Sequence, residues 1–401
     1  MVKEGLTDLA WPAGVPMRIG KNELSVLLTW AYLNGVSDII LSSDNPPCVL
    51  LHGNIVKIGY RNLGNQEMLT LCNEISVGGG SQVQSGRDVD FAYEIPNSDN
   101  THFYRFRANI TGSMGGPALT FRSIPENPPT MEAYGVEREL QKLLVFDKGL
   151  GLVTGSTGSG KSTLISALFR DRVVRESKNF VTYESPVEFN FYGLNGLGLI
   201  TQSDIPFALP DFKAAVRNSL RRAPHVVLVG EARDADTIGG MVTEVRTGHA
   251  VYSTMHTESV AGTIDRMIRE FPPDQWESAR VAILDSISII VHQRLVPTVD
   301  GKRTALREWM AFDGEMKDEL LSMPLSDITG FLNKAIRDEP VDGDRRALDT
   351  HAREVFESGK IGLDTYVRVL ASLGIKKEST RAVCHRQAWM EPVEESHGDA
   401  N

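Results

Sequence analysis

The sequence of 401 residues predicts an α/β protein with three parts: an N-terminal α+β domain, a larger domain with a doubly wound sheet, and a small C-terminal helical subdomain. The main observation is a series of short apolar runs that alternate with helix-like segments, which is typical of a mostly parallel sheet. These runs are 151–154, 180–183, 226–229, 251–254 and 288–291. The second observation is a glycine-rich loop between the first run and a helical segment.

The composition is that of a folded protein with an acidic surface. Hydrophobic residues make up 41% and charged residues 23%, which argues against wholesale disorder. The 42 Lys and Arg residues against 52 Asp and Glu residues give a net charge of −10. Such a balance argues against a protein whose whole surface coats nucleic acid or anionic lipid, but it leaves room for local basic patches.

The sequence also bears on location and partners. Three widely spaced cysteines without a CxxC pair favour a reducing cytosol. The N-terminus does not read as a secretory signal, and no apolar segment reaches the length of about 18 residues that a membrane helix needs. We therefore expect a cytoplasmic protein whose membrane association is peripheral or occurs through a partner. No basic stripe interleaved with aromatic residues is present, so we expect no direct nucleic-acid binding.

The first domain is expected over residues 21–125, after an irregular arm at 1–20. A helix is predicted to begin near Asn22, where apolar residues start to recur at helical spacing. Further along, Gly78–Ser81 is interpreted as a flexible turn because no Lys-Ser pair follows it. Strands are predicted at 38–41, 48–51, 91–95, 102–110 and 118–124.

The remaining boundaries follow from proline and from the fading of strand signals. The stretch PENPP at 125–129 favours extended backbone, so a linker is expected at 126–140. The α/β domain is then expected at 141–311 and the helical subdomain at 312–385. An acidic tail at 386–401 completes the chain.

The most specific motif is the loop GSTGSGKST, which fits the pattern G-x-x-x-x-G-K-[ST]. Its glycines allow successive backbone N–H groups to converge on phosphate oxygens at a helix N-terminus. Lys161 is expected to reach the β- and γ-phosphates, and the Ser162 hydroxyl is expected to hold Mg²⁺. The predicted nucleotide-binding residues are Gly155, Ser156, Thr157, Gly158, Ser159, Gly160, Lys161, Ser162 and Thr163.

Carboxylates that could position water follow two of the apolar runs. Glu231 comes at the end of the run HVVLVGE, where an open α/β sheet keeps its ligands, and it is the first choice for orienting the attacking water. Gly230 stands where a Walker B aspartate is usual, so metal binding must depend on Ser162, phosphates and water. Glu184 and Glu188 follow another run and are candidates for the outer shell of the metal or a second base, with solvated loop acids as the alternative.

Two histidines flank the run AVYSTM. His249 and His256 are seven residues apart, so joint metal ligation is not expected, but one of them could act as a sensor of the γ-phosphate. The competing interpretation for each is a core histidine with satisfied hydrogen bonds. That interpretation is the default for His225 and His292.

Arginines could complete the site from a neighbouring domain or subunit, as is common in P-loop enzymes. Arg105, Arg107 and Arg122 lie on predicted strands of the first domain, and the first two share one face by their spacing. Arg217 and Arg221 lie four residues apart on a predicted helix at 211–222. Exposed ion pairs are the alternative for each of these arginines.

Four motifs in order resemble those of a known family. They are GSTGSGKST, YESPVE, VGEARDADT and TGHAVYSTMHT, and together they resemble the ATPases of type II and type IV secretion. The segments SQVQSGRDVDF, QSDIPFALPDFKAAVRNSLRRAP and LVPTVDGKRTALREWMAFD are similar to the DotB and TraJ ATPases of type IVB secretion and conjugation. The resemblance covers about residues 20 to 375.

The resemblance implies a PAS-like first domain, a RecA-like second domain, a ring of six subunits, and Mg²⁺-dependent hydrolysis of ATP bound between the domains. It makes Glu184 and Glu188 an aspartate box, Glu231 the Walker B glutamate, and His249 and His256 a histidine box. The implied role is a motor for secretion or plasmid transfer at the cytoplasmic face of the inner membrane, attached through a membrane complex.

Two other functions remain open on the sequence. A pilus-retraction ATPase shares the same motifs. A nucleotide-gated assembly scaffold with negligible turnover would fit Gly230 in place of the aspartate. The sequence does not distinguish DNA, protein or pilin as the cargo.

Overall fold

A computed structural model describes residues 16–51, 54–97, 103–125, 128–191, 193–206, 208–338 and 343–375. The expected acidic tail and most of the expected N-terminal arm lie outside these residues. The chain forms two compact units. The first comprises the described residues of Met1–Pro128 together with Ser185–Leu194, and the second those of Pro129–Glu184 and Asn195–Asn401.

The first unit contains a six-stranded sheet with helices packed on one side. Its helices are α1 (Lys21–Leu33), α2 (Asn65–Ile75) and α3 (Gly79–Gln84). Its strands are β1 (Asp38–Ser42), β2 (Cys48–Leu51), β3 (Asn54–Lys57), β4 (Val89–Pro96), β5 (Phe103–Ser113) and β6 (Gly116–Ile124). The order in the sheet is β3-β2-β1-β6-β5-β4, and every neighbouring pair is antiparallel.

Helix α1 has the buried apolar face that the helical spacing of its leucines predicts. Leu24, Leu27 and Leu28 fall on one face and are fully buried in the core of this unit. The carboxylate of Glu23 accepts a hydrogen bond from the Gly20 N–H at 3.0 Å, which satisfies a backbone donor at the helix start.

The segment at Gly78–Ser81 is not the flexible turn that we expected. Gly78 has a φ of 73° and α3 begins directly after it. A Cβ on Gly79 would lie 2.9 Å from the Cys72 carbonyl oxygen, and the Gly80 N–H donates to Asn73 Oδ1 at 3.0 Å. These glycines therefore allow α3 to pack closely against α2.

The second unit is built on an eight-stranded sheet. Its strands are β7 (Gly149–Thr154), β8 (Asn179–Glu184), β9 (Leu199–Asp204), β10 (Val226–Val229), β11 (Ala250–Met255), β12 (Ile287–Pro297), β13 (Arg303–Ala311) and β14 (Arg345–Arg346). Its helices are α4 (Arg138–Leu143), α5 (Lys161–Arg175), α6 (Phe212–Ser219), α7 (Ala235–Arg246), α8 (Val260–Arg269), α9 (Trp276–Ser286), α10 (Gly314–Ser322), α11 (Leu325–Ala335), α12 (Leu348–Glu357) and α13 (Leu363–Ser372).

The order of this sheet determines where a ligand can bind. It runs β14-β13-β12-β7-β11-β10-β8-β9, with all pairs from β12 to β9 parallel. Strands β7, β10 and β11 are buried along their whole length, and β8 is buried after its first residue, as expected for a sheet covered by helices on both faces. Because these strands are parallel, their carboxyl ends meet at one edge, which we call the carboxyl edge, and their starts meet at the amino edge.

The C-terminal helices are continuous with this unit. Leu320 of α10 and Leu332 of α11 belong to the same buried cluster as Ile264 of α8. Helices α12 and α13 pack with Leu306 of β13, and β14 adds a short strand to the sheet. In the described part of the chain, no helix has the length and apolar character needed to cross a bilayer.

Candidate nucleotide site

The glycine-rich loop lies at the carboxyl edge, between β7 and α5. Gly155, Gly158 and Gly160 all have positive φ, at 143°, 76° and 84°. A Cβ on Gly155 would lie 2.3 Å from the Gln293 carbonyl oxygen, and one on Gly160 would lie 2.2 Å from the Tyr134 hydroxyl. The backbone therefore requires glycine at these two positions both for its conformation and for space.

Lys161 begins α5 and turns back over the loop. Its ammonium donates hydrogen bonds to the carbonyl oxygens of Gly155 at 2.8 Å and Ser156 at 3.0 Å. The Ser159 hydroxyl oxygen is buried, and the described residues provide no hydrogen-bond partner for it. A cation, a buried hydroxyl and the start of a 15-residue helix thus converge on the loop, which is the donor set that a phosphate requires.

Glu231 lies at the same carboxyl edge, where it forms a charged cluster with Arg233 and His256. It follows β10, and its Oε2 accepts a hydrogen bond from Arg233 at 2.6 Å. Its Oε1 lies 3.4 Å from the Nε2 of His256, which follows β11. The structure therefore brings Glu231 and His256 together at the carboxyl edge, with the Glu231 side chain 18% exposed.

Gly230 is in a place with little room for a side chain. A Cβ there would lie 3.1 Å from the Tyr183 carbonyl oxygen and 3.3 Å from the Glu184 Cα. The Gly230 N–H donates to that same carbonyl at 2.7 Å, while the Gly230 carbonyl accepts from the Thr254 hydroxyl at 2.6 Å. A side chain here would require the neighbouring strand end to shift by about a few tenths of an ångström, so the close approach of the strand ends favours glycine at this position.

Glu184 ends β8 and is buried at the same edge. Its Oε1 accepts hydrogen bonds from the Thr182 hydroxyl at 2.7 Å and from Gln202 Nε2 at 3.1 Å. Glu188 is exposed and lies in Ser185–Leu194, the segment that belongs to the first unit. The two glutamates of the expected pair therefore belong to different units.

His249 does not lie at the loop, and our expectation of a role there is corrected. It precedes β11, and Ala250 pairs with Gly149 at the start of β7, so His249 is at the amino edge. A strand of this length puts about 20 Å between the two edges. Its Nδ1 lies 3.0 Å from the Glu244 carbonyl oxygen and 3.0 Å from the Thr247 hydroxyl. The sensor interpretation therefore applies to His256 alone.

His292, which we assigned to the core, lies beside the loop strand. Its Nδ1 is 3.3 Å from the Thr154 hydroxyl, at the end of β7. Burial, together with the nearby cations Arg294 and Lys161, lowers the pKa of His292 to about 4. The ring is thus neutral at physiological pH and adds no charge to the site.

Two residues that were not predicted from the sequence form hydrogen bonds to the outer side of the loop. Gln293 Nε2 donates to the Ser159 carbonyl at 2.7 Å, and the Tyr134 hydroxyl donates to the Gly160 carbonyl at 3.3 Å. Gln293 and Ser159 are 134 residues apart and Tyr134 and Gly160 are 26 residues apart, so local patterns carry no signal for either pair. Knowing that β12 pairs with β7 would have placed Gln293 beside the start of the loop, and this pairing is the one signal that could have identified it.

The chain is similar to a known family and to individual members of it. The model of the family "Type II/IV secretion system protein" matches residues 93–335. The chain belongs to the type II/IV secretion ATPase family. The type IV pilus retraction ATPase PilT of Pseudomonas aeruginosa is 32% identical over 289 residues, which are 72% of this chain and 82% of that protein.

Solved structures of this secretion ATPase family agree with the fold. The X-ray structure of the Legionella pneumophila ATPase DotB is 34% identical, with a TM-score of 0.77 over 90% of this chain and 98% of that one. The crystal structure of the pilus retraction motor PilT with bound ADP is 26% identical, with a TM-score of 0.75 over 88% of this chain and 97% of that one. The predicted α/β fold class, with its RecA-like ATPase domain, and the predicted family are confirmed.

The candidate arginines lie on the sheet of the first unit and at helix α6 of the second unit. On the sheet of the first unit, Arg107 of β5 is directly opposite Arg122 of β6, and Arg105 is two residues away on the same face. Arg122 pairs with Asp38 at 2.8 Å, and Arg105 lies 3.4 Å from Glu94. Arg217 on α6 and Arg221 just after it are exposed.

Proposed function

We propose that this chain hydrolyses ATP and serves as a motor of a type IVB secretion or plasmid-transfer apparatus. The observation that carries the proposal is the convergence, at one edge of the sheet, of a phosphate loop, a paired glutamate and histidine, and a second buried glutamate. Family membership supports an ATPase, and the likeness to DotB over 90% of the chain supports the type of machine.

The roles follow from the chemistry of each group. Lys161 and the loop N–H groups bind the phosphates. Glu231 accepts the proton of the attacking water, and Arg233 and His256 hold the Glu231 carboxylate in place. Glu184, fixed by Thr182 and Gln202, supports the same edge.

The residues present also fit Mg²⁺. This ion usually keeps several waters and binds through one or two protein oxygens plus substrate phosphates, and the Ser162 hydroxyl at the start of α5 is such an oxygen. Bound Mg²⁺ would neutralise charge on the phosphates. Among the described residues, no group of three His, Cys, Asp or Glu side chains could hold a metal by itself.

Hydrolysis can be tested with matched glutamine variants. Glu231→Gln should retain ATP binding but lower phosphate release by about 10²- to 10⁴-fold, the usual contribution of a general base. Glu244→Gln is the control, because Glu244 is a buried glutamate on α7 that contacts His249 at the amino edge. Lys161→Ala should abolish binding. Equal turnover in Glu231→Gln and the wild type would refute the assigned role of Glu231.

We further propose a homohexamer in which Arg105, Arg107 and Arg122 complete a nucleotide site, with Arg217 and Arg221 as further candidates. A six-fold ring of the 44.2 kDa chain would have a mass of about 265 kDa. Light scattering and ATPase assays over a concentration series should show turnover per subunit rising as this species forms. Substituting Ala for Arg107 should lower turnover in a ring of unchanged mass. A monomer with full activity would refute this arrangement.

Pilus retraction is the second candidate, and the 32% identity to PilT supports it. A deletion strain tested for plasmid transfer, effector export and surface motility would separate the two, because each machine loses a different phenotype. A scaffold with negligible turnover is supported by Gly230 alone, and measurable phosphate release would exclude it. In either machine we place the chain at the cytoplasmic face of the inner membrane, bound through partners.

A further inference from the structure

A chain of buried and half-buried polar side chains runs from the loop to helix α12. It starts at Gln293 on β12, which is fully buried and donates from Nε2 to the Ser159 carbonyl at 2.7 Å and to the Tyr134 hydroxyl oxygen at 3.1 Å. The Tyr134 hydroxyl donates in turn to the Gly160 carbonyl at 3.3 Å. Two consecutive carbonyls of the loop are therefore held from the same side.

Arg307 of β13 fixes the orientation of the Gln293 amide. Its Nε donates to Gln293 Oε1 at 2.8 Å, and since a guanidinium can only donate hydrogen bonds, it selects the oxygen end of the amide. The NH₂ end must then face the loop and Tyr134. The Arg307 guanidinium also lies 5.2 Å from the centre of the Tyr134 ring, so it braces both residues that hold the loop.

The same arginine connects to α12. Its Nη1 donates to Glu137, 3.0 Å from Oε2, and to the Gly135 carbonyl at 2.9 Å. The Nε2 atom of His351, on α12, lies 3.0 Å from Glu137 Oε1. The Nδ1 atom of the same ring accepts a hydrogen bond from the Arg307 backbone N–H at 2.9 Å. Burial lowers the pKa of His351 to about 4, so the ring is neutral and its Nε2–H donates to Glu137.

The geometry of the peptide bond gives this network a functional consequence. In a planar trans peptide the C=O and the following N–H point in opposite directions. Holding the carbonyls of Ser159 and Gly160 outward therefore points the N–H groups of Gly160 and Lys161 to the other side of the backbone. Those N–H groups belong to the stretch that forms a phosphate-binding nest in loops of this kind.

We propose that Gln293 and Tyr134 are positioning residues that preset the phosphate-binding N–H groups, and that Arg307, Glu137 and His351 transmit the packing of α12 to them. The proposal deepens the proposed function, on which it rests for the identity of the ligand. It makes helix α12 a point from which nucleotide affinity can be changed without any contact with the nucleotide.

The test compares the binding of fluorescent ADP to variants of the full chain. Gln293→Met and Tyr134→Phe remove the hydrogen bonds to the loop at nearly constant volume. Each should weaken ADP binding by about tenfold, the equivalent of one to two lost hydrogen bonds. His351→Leu, far from the loop, should weaken it by about threefold, a fraction of the same loss.

Tyr252→Phe is the matched control. The Tyr252 hydroxyl also joins an arginine to a backbone carbonyl, since it accepts from Arg172 at 2.8 Å and donates to Leu144 at 2.6 Å. This variant should lower the melting temperature but keep the affinity for ADP. Tyr134→Phe should weaken ADP binding and leave the melting temperature nearly unchanged. Unchanged ADP affinity in folded Tyr134→Phe would overturn the positioning role, and unchanged affinity in His351→Leu would overturn the transmission from α12.

Wild-type measurements separate this proposal from the proposed function. If the wild type binds ADP but does not release phosphate from ATP, the motor function fails while the ADP-binding comparison still decides the positioning role. If the wild type binds no nucleotide, both are refuted. If Gln293→Met does not fold, Tyr134→Phe alone decides, because it removes only a hydroxyl.

Discussion

Glu244 offers the sharpest test of how the second unit is stabilised. Its side chain is fully buried at the end of α7, where Oε1 accepts a hydrogen bond from the Ser219 hydroxyl and Oε2 lies 3.3 Å from His249 Nδ1. Burial raises the pKa of this carboxyl from its ordinary value of 4.5 to about 7. The folded protein therefore holds a proton on Glu244 that the unfolded chain releases.

The sign of the effect follows from proton linkage. Between pH 4.5 and about 7 the folded state binds one proton more than the unfolded state at this group, so the free energy of unfolding falls as the pH rises. The full difference in pKa corresponds to about 3 kcal/mol, and allowing for solvent screening gives about 1–3 kcal/mol. Glu244→Gln keeps the shape and cannot ionise, so at pH 8 it should be more stable than the wild type by this amount.

Urea unfolding at a series of pH values measures this directly. The difference in the free energy of unfolding between Glu244→Gln and the wild type should be small at pH 4.5 and grow up to pH 8. Taking the difference removes the contribution of other titrating groups, including the buried histidines. A variant that is less stable than the wild type by the same amount at every pH would show that Glu244 is ionised in the folded state and that the reasoning is wrong.

Two further predictions concern the loop edge. Gly158→Ala should lower the free energy of unfolding by about 1 kcal/mol through its positive φ alone, because no atom lies within 4 Å of the new Cβ. Gly160→Ala should lower it further and should also weaken nucleotide binding, because its Cβ would collide with Tyr134. Equal unfolding curves for the two variants would contradict this. The lowered pKa of His292 means that protein stability is lost as the pH falls from 6.5 towards 4, and His292→Gln should reduce that loss, by up to about 3 kcal/mol in urea unfolding. A wild type and variant with the same acid sensitivity would refute the neutral histidine.

The sequence was a good guide where structure depends on local chemistry. The phosphate loop is specified by its glycines and by Lys161 within nine residues, and the strand end that carries Glu231 is specified by a continuous apolar run. The first helix begins at Lys21, next to the expected Asn22. Each of these features is fixed by neighbours in the chain, which is why patterns in the sequence contain them.

Prediction was weaker where the answer depends on pairing between distant segments. Strands β3, β9, β13 and β14 were not predicted. The edge strands β3 and β9 have mixed exposure rather than continuous apolar runs, and β14 has only two residues. His249 was placed at the site because its motif contains two histidines. Because β11 runs parallel to β7, the start of β11 lies at the amino edge and its end lies at the carboxyl edge. His249 precedes β11 and His256 follows it, so the two histidines lie at opposite edges.

The charged groups of the carboxyl edge each have partners within the protein. Lys161 donates to loop carbonyls, and Glu231 pairs with Arg233 and lies near His256. Binding of a nucleotide therefore exchanges existing hydrogen bonds for new ones, and such exchanges contribute little net free energy each. Affinity must then depend on groups that are already oriented before the nucleotide arrives, because these require no exchange and no ordering. The loop N–H groups are such donors, which is why the side chains that orient them, Gln293 and Tyr134, should contribute to affinity although they do not touch the phosphates.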